Sequence, residues 1–302
     1  MSVLVRNLRQ AIPAIALLAA CAPALAQEVF REEEILGSDR PEAWAMHYFS
    51  GTTVMTAFGA TPRLSPGQWM LAGELGHIPH LSAEQQQVGF NGFKAEDLNK
   101  SPVFGRLRAQ IGLPGRWVAD VGYTPPVEID GLRAQDLFAV GIGRRLFDQA
   151  PYSVSMRAFG QHGKAKGDIT CPAGLAGDPD PVRNPYGCQA ASHDQIGLNH
   201  YGIDLTVAWS RERWTWHVTT GVVRNEPDVQ VDALTYDVRD RSHLVARGVL
   251  PMLALGLSRD FGARWTGAFE VLHVPLTVRR DPDAGREHDS LTSLRLRVSV
   301  RP

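Results

Sequence analysis

VFGRLRAQIGLPGRWVADVGY, residues Val103 to Tyr123, decides the fold. Val103, Gly105, Leu107, Ala109, Ile111 and Leu113 alternate with Phe104, Arg106, Arg108, Gln110 and Gly112. After Pro114-Gly115-Arg116 the pattern restarts, with Trp117, Ala119, Val121 and Tyr123 against Val118, Asp120 and Gly122. Successive side chains on a strand point to opposite faces, so this is an antiparallel hairpin with one apolar and one charged face. A soluble sandwich shows the same two-sidedness. Three features of the chain weigh against a sandwich: an export signal, aromatic residues where the apolar rows end, and connections that alternate short and long. Together they point to an all-β transmembrane barrel, apolar toward lipid and polar inside.

The export signal occupies residues 1–26. Arg6 and Arg9 supply its charge, Ala11 to Ala20 its apolar core, and Ala24-Leu25-Ala26 a small-residue cleavage site. The apolar run is shorter than the ~20 residues a spanning helix needs. Leu18-Ala19-Ala20-Cys21 resembles a lipoprotein lipobox, which would leave Cys21 lipidated; cleavage after Ala26 is the better-formed alternative. Losing the two leader arginines takes the net charge from −1 to −3, and no basic run points to nucleic acid. Cys171 and Cys188 then remain as an isolated pair in an exported Gly/Pro-rich stretch, which points to a disulfide. Its loop of about 18 residues is worth roughly 3 kcal/mol by closure entropy. The spacing matches no zinc pattern, and no other metal or cofactor is called for.

Residues 27–66 read as an N-terminal periplasmic or plug segment. Ser38 or Asp39 caps a short helix with Pro41 in its first turn, and the β-branched run from Gly51 to Phe58 is either an extra strand or part of the plug. Residues 67–302 read as the barrel. Strands begin at Trp69, Val103, Trp117, Phe138, Tyr152, Tyr201, Trp214, Leu244, Trp265 and Ser293. Long links at 79–102, 125–137, 164–199, 224–243 and 279–289 alternate with tight turns. The expected architecture is an antiparallel up-and-down barrel of about ten strands, twelve being the alternative count. Pro251 and Pro275 cannot donate to a ladder and mark bulges or the end of the spanning part.

In layout the whole chain resembles a Gram-negative outer-membrane β-barrel protein. RPEAWAMHYF, GFNGFKAEDLNKSPVFGRLR and IGLPGRWVADVGYTPP look like signatures of an uncharacterised proteobacterial group. The resemblance implies an outer-membrane location reached through a cleavable leader, contact with outer-membrane lipid, and insertion by the barrel assembly machinery. One departure stands out: such barrels end in an aromatic residue, whereas this chain ends Val300-Arg301-Pro302.

The polar row comprises Glu74, Arg106, Arg108, Asp120, Arg157, Asp204, Glu270, Arg295 and Arg297. Its lumen-lining assignment follows from energetics, since an arginine on the lipid face at mid-membrane costs ~2–4 kcal/mol. The row reads either as an ion-pair network filling a narrow lumen or as a basic constriction selecting anions. In the closed barrel the last strand meets the first, so Arg295 or Arg297 is expected to reach Glu74. The omptin proteases, also ten-stranded, use clustered Asp and His at the rim. Here His162, Asp168, Asp178, Asp180, His193 and Asp194 lie near the cysteine loop, without a matching motif. Ser192-His193-Asp194 has the residue types of a hydrolase, but sequence neighbours do not form a triad with one another. The functional expectation is a non-enzymatic barrel for passage or binding of a small or amphipathic molecule through a narrow charged lumen. The alternatives are an interaction barrel with a disulfide-tied surface loop and, further off, an outer-membrane hydrolase located at the rim. The identity of the small molecule is left open.

Overall fold

The computed structural model describes residues 28–281, 283 and 285–302. The leader assigned to 1–26, Cys21 included, lies outside the described residues. From Trp69 onward the chain forms ten long antiparallel strands. They are β1 Trp69–His77, β2 Val103–Leu113, β3 Trp117–Thr124, β4 Leu132–Gln149 and β5 Tyr152–Gly167, then β6 His200–Arg211, β7 Trp214–Asn225, β8 Gly248–Phe261, β9 Trp265–Val274 and β10 Leu291–Val300. Each strand pairs with the next, and β10 pairs with β1 from Arg295↔Gly76 to Val300↔Leu71. The sheet is therefore a closed ten-stranded barrel with no free long edge.

Short turns at 114–116, 150–151, 212–213 and 262–264 all lie at one end of the barrel. Left-handed backbone at Gly115, Arg116, Glu212 and Gly262 makes the reversals at 114–116, 212–213 and 262–264. β4 and β5 are the longest strands and run beyond the others at the opposite end, where the long connections gather. Their pairing shifts register at Val154/Ser155 and at His162/Lys164. Gly163 sits at the second shift, at φ +135°, and an added Cβ would fall 2.2 Å from the Asp136 carbonyl oxygen.

Burial alternates strictly along β1 and β10, and nearly so elsewhere. The outward row is apolar: Leu71, Leu75, Leu107, Ile111, Val121, Ile203, Val218, Leu255 and Leu296 are all exposed. Trp69, Tyr152, Trp209, Trp216 and Trp265 ring the short-turn end, with Trp209 and Trp216 in ring contact at 4.7 Å. Aromatics at the boundary of an apolar belt are the interfacial girdle of a membrane barrel.

The lumen is filled by the chain itself. Helix α1, Pro41–Thr52, lies inside the long-loop half, with eleven of its twelve residues buried. Trp44, Tyr48, Val54 and Met55 form the main apolar cluster with inward residues of the wall, among them Ala139, Phe159, Met252, Leu272 and Leu291. Gly51 permits this approach, because a Cβ there would sit 2.9 Å from the Leu291 side chain. Residues 53–66 then run through the lumen to β1. Pro41 occupies the first turn as expected, but the cap position is Arg40, without a side-chain cap bond. The Asp39 carboxylate instead accepts from Arg286 and pairs with Arg279. The 51–58 stretch is plug and not an additional strand.

Residues 28–36 lie among the long connections. Glu28–Phe30 pairs in parallel with Val238–Asp240, and Glu33–Leu36 with His243–Ala246. The first pairing belongs to a four-stranded sheet completed by Ala233–Thr235 and Cys188–Ala190. The eighth barrel strand starts at Gly248 instead of Leu244, because 243–246 is recruited into this outer layer. Pro275 ends β9. Pro251 sits opposite Val222 in an unshifted register; β9 joins β8 only from Leu253, so the wall beside Pro251 needs no ladder bond on that side.

Candidate functional site

The polar row faces inward. Glu74, Arg106, Arg108, Asp120, Arg157, Asp204, Glu270, Arg295 and Arg297 are all buried. Five arginines thus meet four carboxylates, and the plug supplies the remaining acceptors. Arg295 donates to the carbonyls of Gly51 (3.2 Å), Thr52 (2.9 Å) and Val54 (2.5 Å). Arg106 donates to Thr53 at 2.6 Å, Arg157 to Met55, Arg108 to Thr56 at 2.9 Å and Arg297 to Ala57 at 3.2 Å. Every carbonyl from Gly51 to Ala57 therefore receives a guanidinium. The first of these are the orphan acceptors at the end of α1, where the helix dipole is negative. The rest belong to extended chain that has no sheet partner, and a buried carbonyl without a donor is costly.

The carboxylates hold the guanidiniums in place. Glu74 accepts from Arg106 and Arg108, each at 2.9 Å. Asp120 pairs with Arg108 and also takes Gln110 at 2.9 Å. Asp204 takes Arg157 at 2.5 Å. Glu270 meets His217 at 3.1 Å, both completely enclosed. The expected contact of Glu74 with Arg295 or Arg297 is not made, although Arg297 stands directly opposite it in register. Both β10 arginines turn to the plug, and Glu74 is taken by the neighbours on β2. Gln110, Gln161 and His217 belong to the same network and were not picked out from sequence. Gln110 shared the inward row of Arg106 and Arg108, which was signal enough. The lumen is accordingly a clamp around the plug, and its arginines do not ring an open bore.

Two cavities of the long-loop half adjoin helix α1. The inner one, about 530 Å³, is lined mainly by apolar residues. Its lining includes inward Phe104, Thr124 and Leu137 and also outward Gly73, Leu75 and Leu107, so it passes through the wall. The gap has a sequence cause. β3 pairs with β2 only from Leu107↔Tyr123, and beyond Thr124 come Pro125 and Pro126, which have no N–H to donate. Val103 to Arg106 keep their partners on β1 and have none on the β3 side. Thr124, which lines the cavity, has a buried hydroxyl with no hydrogen-bond partner.

The outer cavity, about 290 Å³, lies between α1 and the strands of the long connections. Glu32, Glu34, Glu42, Glu96, Asp194 and Asp240 line it, with Arg40 the one cation of the lining among the described residues. Glu96 pairs with Lys94 at 2.8 Å, yet burial, opposed by Lys94, pushes its carboxyl up to about 7. Arg40 bridges Glu34 (2.6 Å) and Glu42 (2.9 Å).

The Cys171–Cys188 disulfide is formed, with its Cα atoms 5.6 Å apart. Ser192 donates to Asp194 at 2.7 Å and accepts from the Cys171 N–H, so Ser192 and Asp194 brace this loop with no imidazole between them. Asp168 is paired with Lys100, and Asp178 and Asp180 with Arg183. No group of metal-ligating side chains occurs among the described residues.

A closed antiparallel barrel with an apolar exterior, an aromatic girdle and a polar interior defines a membrane-spanning β-barrel protein. No family model matches the chain, and no curated protein sequence does. Among solved structures it is similar to the attachment invasion locus protein Ail of Yersinia pestis, at 8% identity and TM-score 0.30 over 78% of this chain and 99% of that one. The Pseudomonas putida toluene transporter TodX aligns at 10% identity and TM-score 0.31, over 78% and 89%. The outer membrane protease OmpT from Escherichia coli aligns at 9% and 0.31, over 78% and 91%.

Proposed function

We propose that this protein is a non-enzymatic outer-membrane barrel that takes up a small apolar or amphipathic molecule in the inner cavity and releases it sideways, between β2 and β3, into the bilayer. The observation that carries this reading is the lining of that cavity by residues from both faces of β1 and β2. A molecule held there touches Phe104 and Leu137 on the inside and Leu75 and Leu107 on the lipid side. The volume falls within the ~300–1,000 Å³ usual for small-molecule sites, where apolar walls carry a few polar groups. Passage straight down the lumen is disfavoured by the clamped plug. In this reading the leader exports the chain, the barrel assembly machinery inserts it, and the long connections face outward. The exposed tips Phe93, Val182 and Tyr236 favour one second reading, in which the disulfide-tied loop region contacts another surface.

The test uses Gly73→Trp. Gly73 lies on the outer face beside the opening, and a Cβ there meets nothing within 4 Å, so the barrel folds while the indole covers the gap. Arrival of 12-(dansylamino)dodecanol in phosphatidylcholine liposomes is followed with wild-type and variant protein. Wild-type protein accelerates arrival over protein-free liposomes, and Gly73→Trp removes most of the acceleration. Equal rates for the two proteins overturn lateral release.

A further inference from the structure

The two cavities share a wall. Phe49, Ile169 and Ile196 line both. Phe49 is the only residue of α1 that is not buried, although α1 lies within the barrel. Its ring packs against the main apolar cluster and also against the separate cluster of Phe104, Leu137 and Ile196. A half-accessible aromatic at the centre of a plug, touching a cavity on either side, is placed as a partition. The outer cavity is the one reached from the long-loop end, and the inner one leads to the lateral opening.

The linings differ in charge. Among the described residues six carboxylates and one arginine line the outer cavity; Glu32 and Asp240 form no salt bridge there, whereas both oxygens of Asp194 accept from Thr170, Ser192 and Asp232. The same cavity has an apolar floor that includes Met46, Val88 and Leu244. The inner cavity presents little beyond apolar surface, the Thr124 hydroxyl and the paired Glu74 and Arg106. An excess of anionic groups above an apolar floor is complementary to a molecule with a cationic head and an aliphatic tail. Like-charged anionic amphiphiles are repelled at the same place.

We propose that the two cavities are successive stations on one route for a cationic single-chain amphiphile, an alkylamine, and that the Phe49 ring is the partition it must pass. This rests on the reading that the inner cavity opens to the bilayer. The ammonium is held between Glu32 and Asp240 while the tail lies against the floor, and rotation of Phe49 lets the tail enter the inner cavity.

The experiment uses full-length protein in phosphatidylcholine nanodiscs. The probes are 12-(dansylamino)dodecylamine, which keeps a free primary amine, and the uncharged 12-(dansylamino)dodecanol. A nitroxide on Val127→Cys, an exposed position lining the inner cavity, quenches probe that arrives there. Empty nanodiscs supply the partitioning background. The amine binds about tenfold more tightly than the alcohol, as expected for one partly solvated charge contact. Glu32→Gln with Asp240→Asn removes most of that preference and leaves alcohol binding unchanged. Phe49→Trp slows quenching after amine binding, and Phe49→Ala speeds it. Equal affinities of wild-type protein for the two probes overturn the substrate class. Unchanged quenching kinetics in both Phe49 variants overturn the partition. Failure of the underlying reading gives a different result: the amine binds with its preference but is never quenched at position 127 in any variant, which overturns the route while leaving the outer-cavity preference in place.

Discussion

Glu74→Gln tests the clamp most directly. The carboxylate is buried and accepts from Arg106 and Arg108, one on each oxygen, so it neutralises two guanidiniums that share the lumen. An amide has nearly the same shape but carries no charge, and its NH2 group faces one of the two arginines with a donor. Removing one partner of a buried ion pair costs about 3–5 kcal/mol, because a desolvated charge is left unmatched. At about 2–4 °C per kcal/mol for a domain of this order of size, the thermal midpoint falls by roughly 6–20 °C. Glu84→Gln, on an exposed stretch of the first long connection, is the control, and surface changes of this kind stay within about 0.5 kcal/mol. The assay is the temperature at which the folded, fast-migrating band is lost in detergent, read alongside the circular dichroism of the strands. Equal midpoints for the two variants would refute the clamp, because they would mean that water already screens the Glu74 site.

Arg295→Ala removes the donor of three plug carbonyls, so planar-bilayer recordings are expected to show ion currents absent from wild-type protein. Replacing Cys171 and Cys188 by serine removes about 3 kcal/mol of loop-closure stabilisation; limited proteolysis then nicks 172–187 while the barrel fragment stays intact, and non-reduced wild-type peptides are recovered linked. Epitope tags within 279–289 or 164–199 are labelled on intact cells, and a tag at 148–150 is not; labelling of the latter reverses the orientation. Burial raises the Glu96 carboxyl from the usual 4.5 to about 7, so the folded state binds the extra proton between those values. The long-loop end therefore loses protection as pH rises from about 4.5 to 7. The charges facing Glu96 are Lys94, Asp194 and Asp240, with Glu32, Glu34, Glu42 and Arg40 around the same cavity. Protease sensitivity of 80–100 measured across that range checks this, and Glu96→Gln abolishes the dependence.

The barrel was legible because period-two alternation is a local property. Residues 103–123 carry it without reference to anything distant, and so do the tight turns that separate strands. The arginine row was legible for the same reason. Its partners were not, because the acceptors are backbone carbonyls, which every residue possesses and no sequence marks. Strand register placed Arg297 opposite Glu74, but a guanidinium on a long stem chooses among acceptors several ångströms apart. Within that choice, the Ala57 carbonyl outcompetes the cross-strand carboxylate for Arg297, and the carbonyls at and just beyond the end of α1 take Arg295. The opening in the wall was half visible. Pro125-Pro126 marked the start of a long connection, while the loss of ladder bonds on β2 depends on where β3 aligns with it. The cavities arise from packing between segments far apart in sequence, and no pattern within either segment announces them.

The passage of residues 28–68 has a mechanical consequence. The chain comes in from the long-loop end, runs the length of its own barrel and turns into β1 at the other end, so it is a thread through a ring that the same thread forms. A plug with a free end can slide out of its barrel. This one is anchored below by covalent continuity with the first strand and above by parallel pairing with 238–240 and 243–246. Casting the ring first and threading it later would mean drawing residues 28–66, helix α1 included, through a bore only ten strands wide. Because Arg295 and Arg297 sit on the strand that closes the seam, the stitch that shuts the ring also ties down the thread.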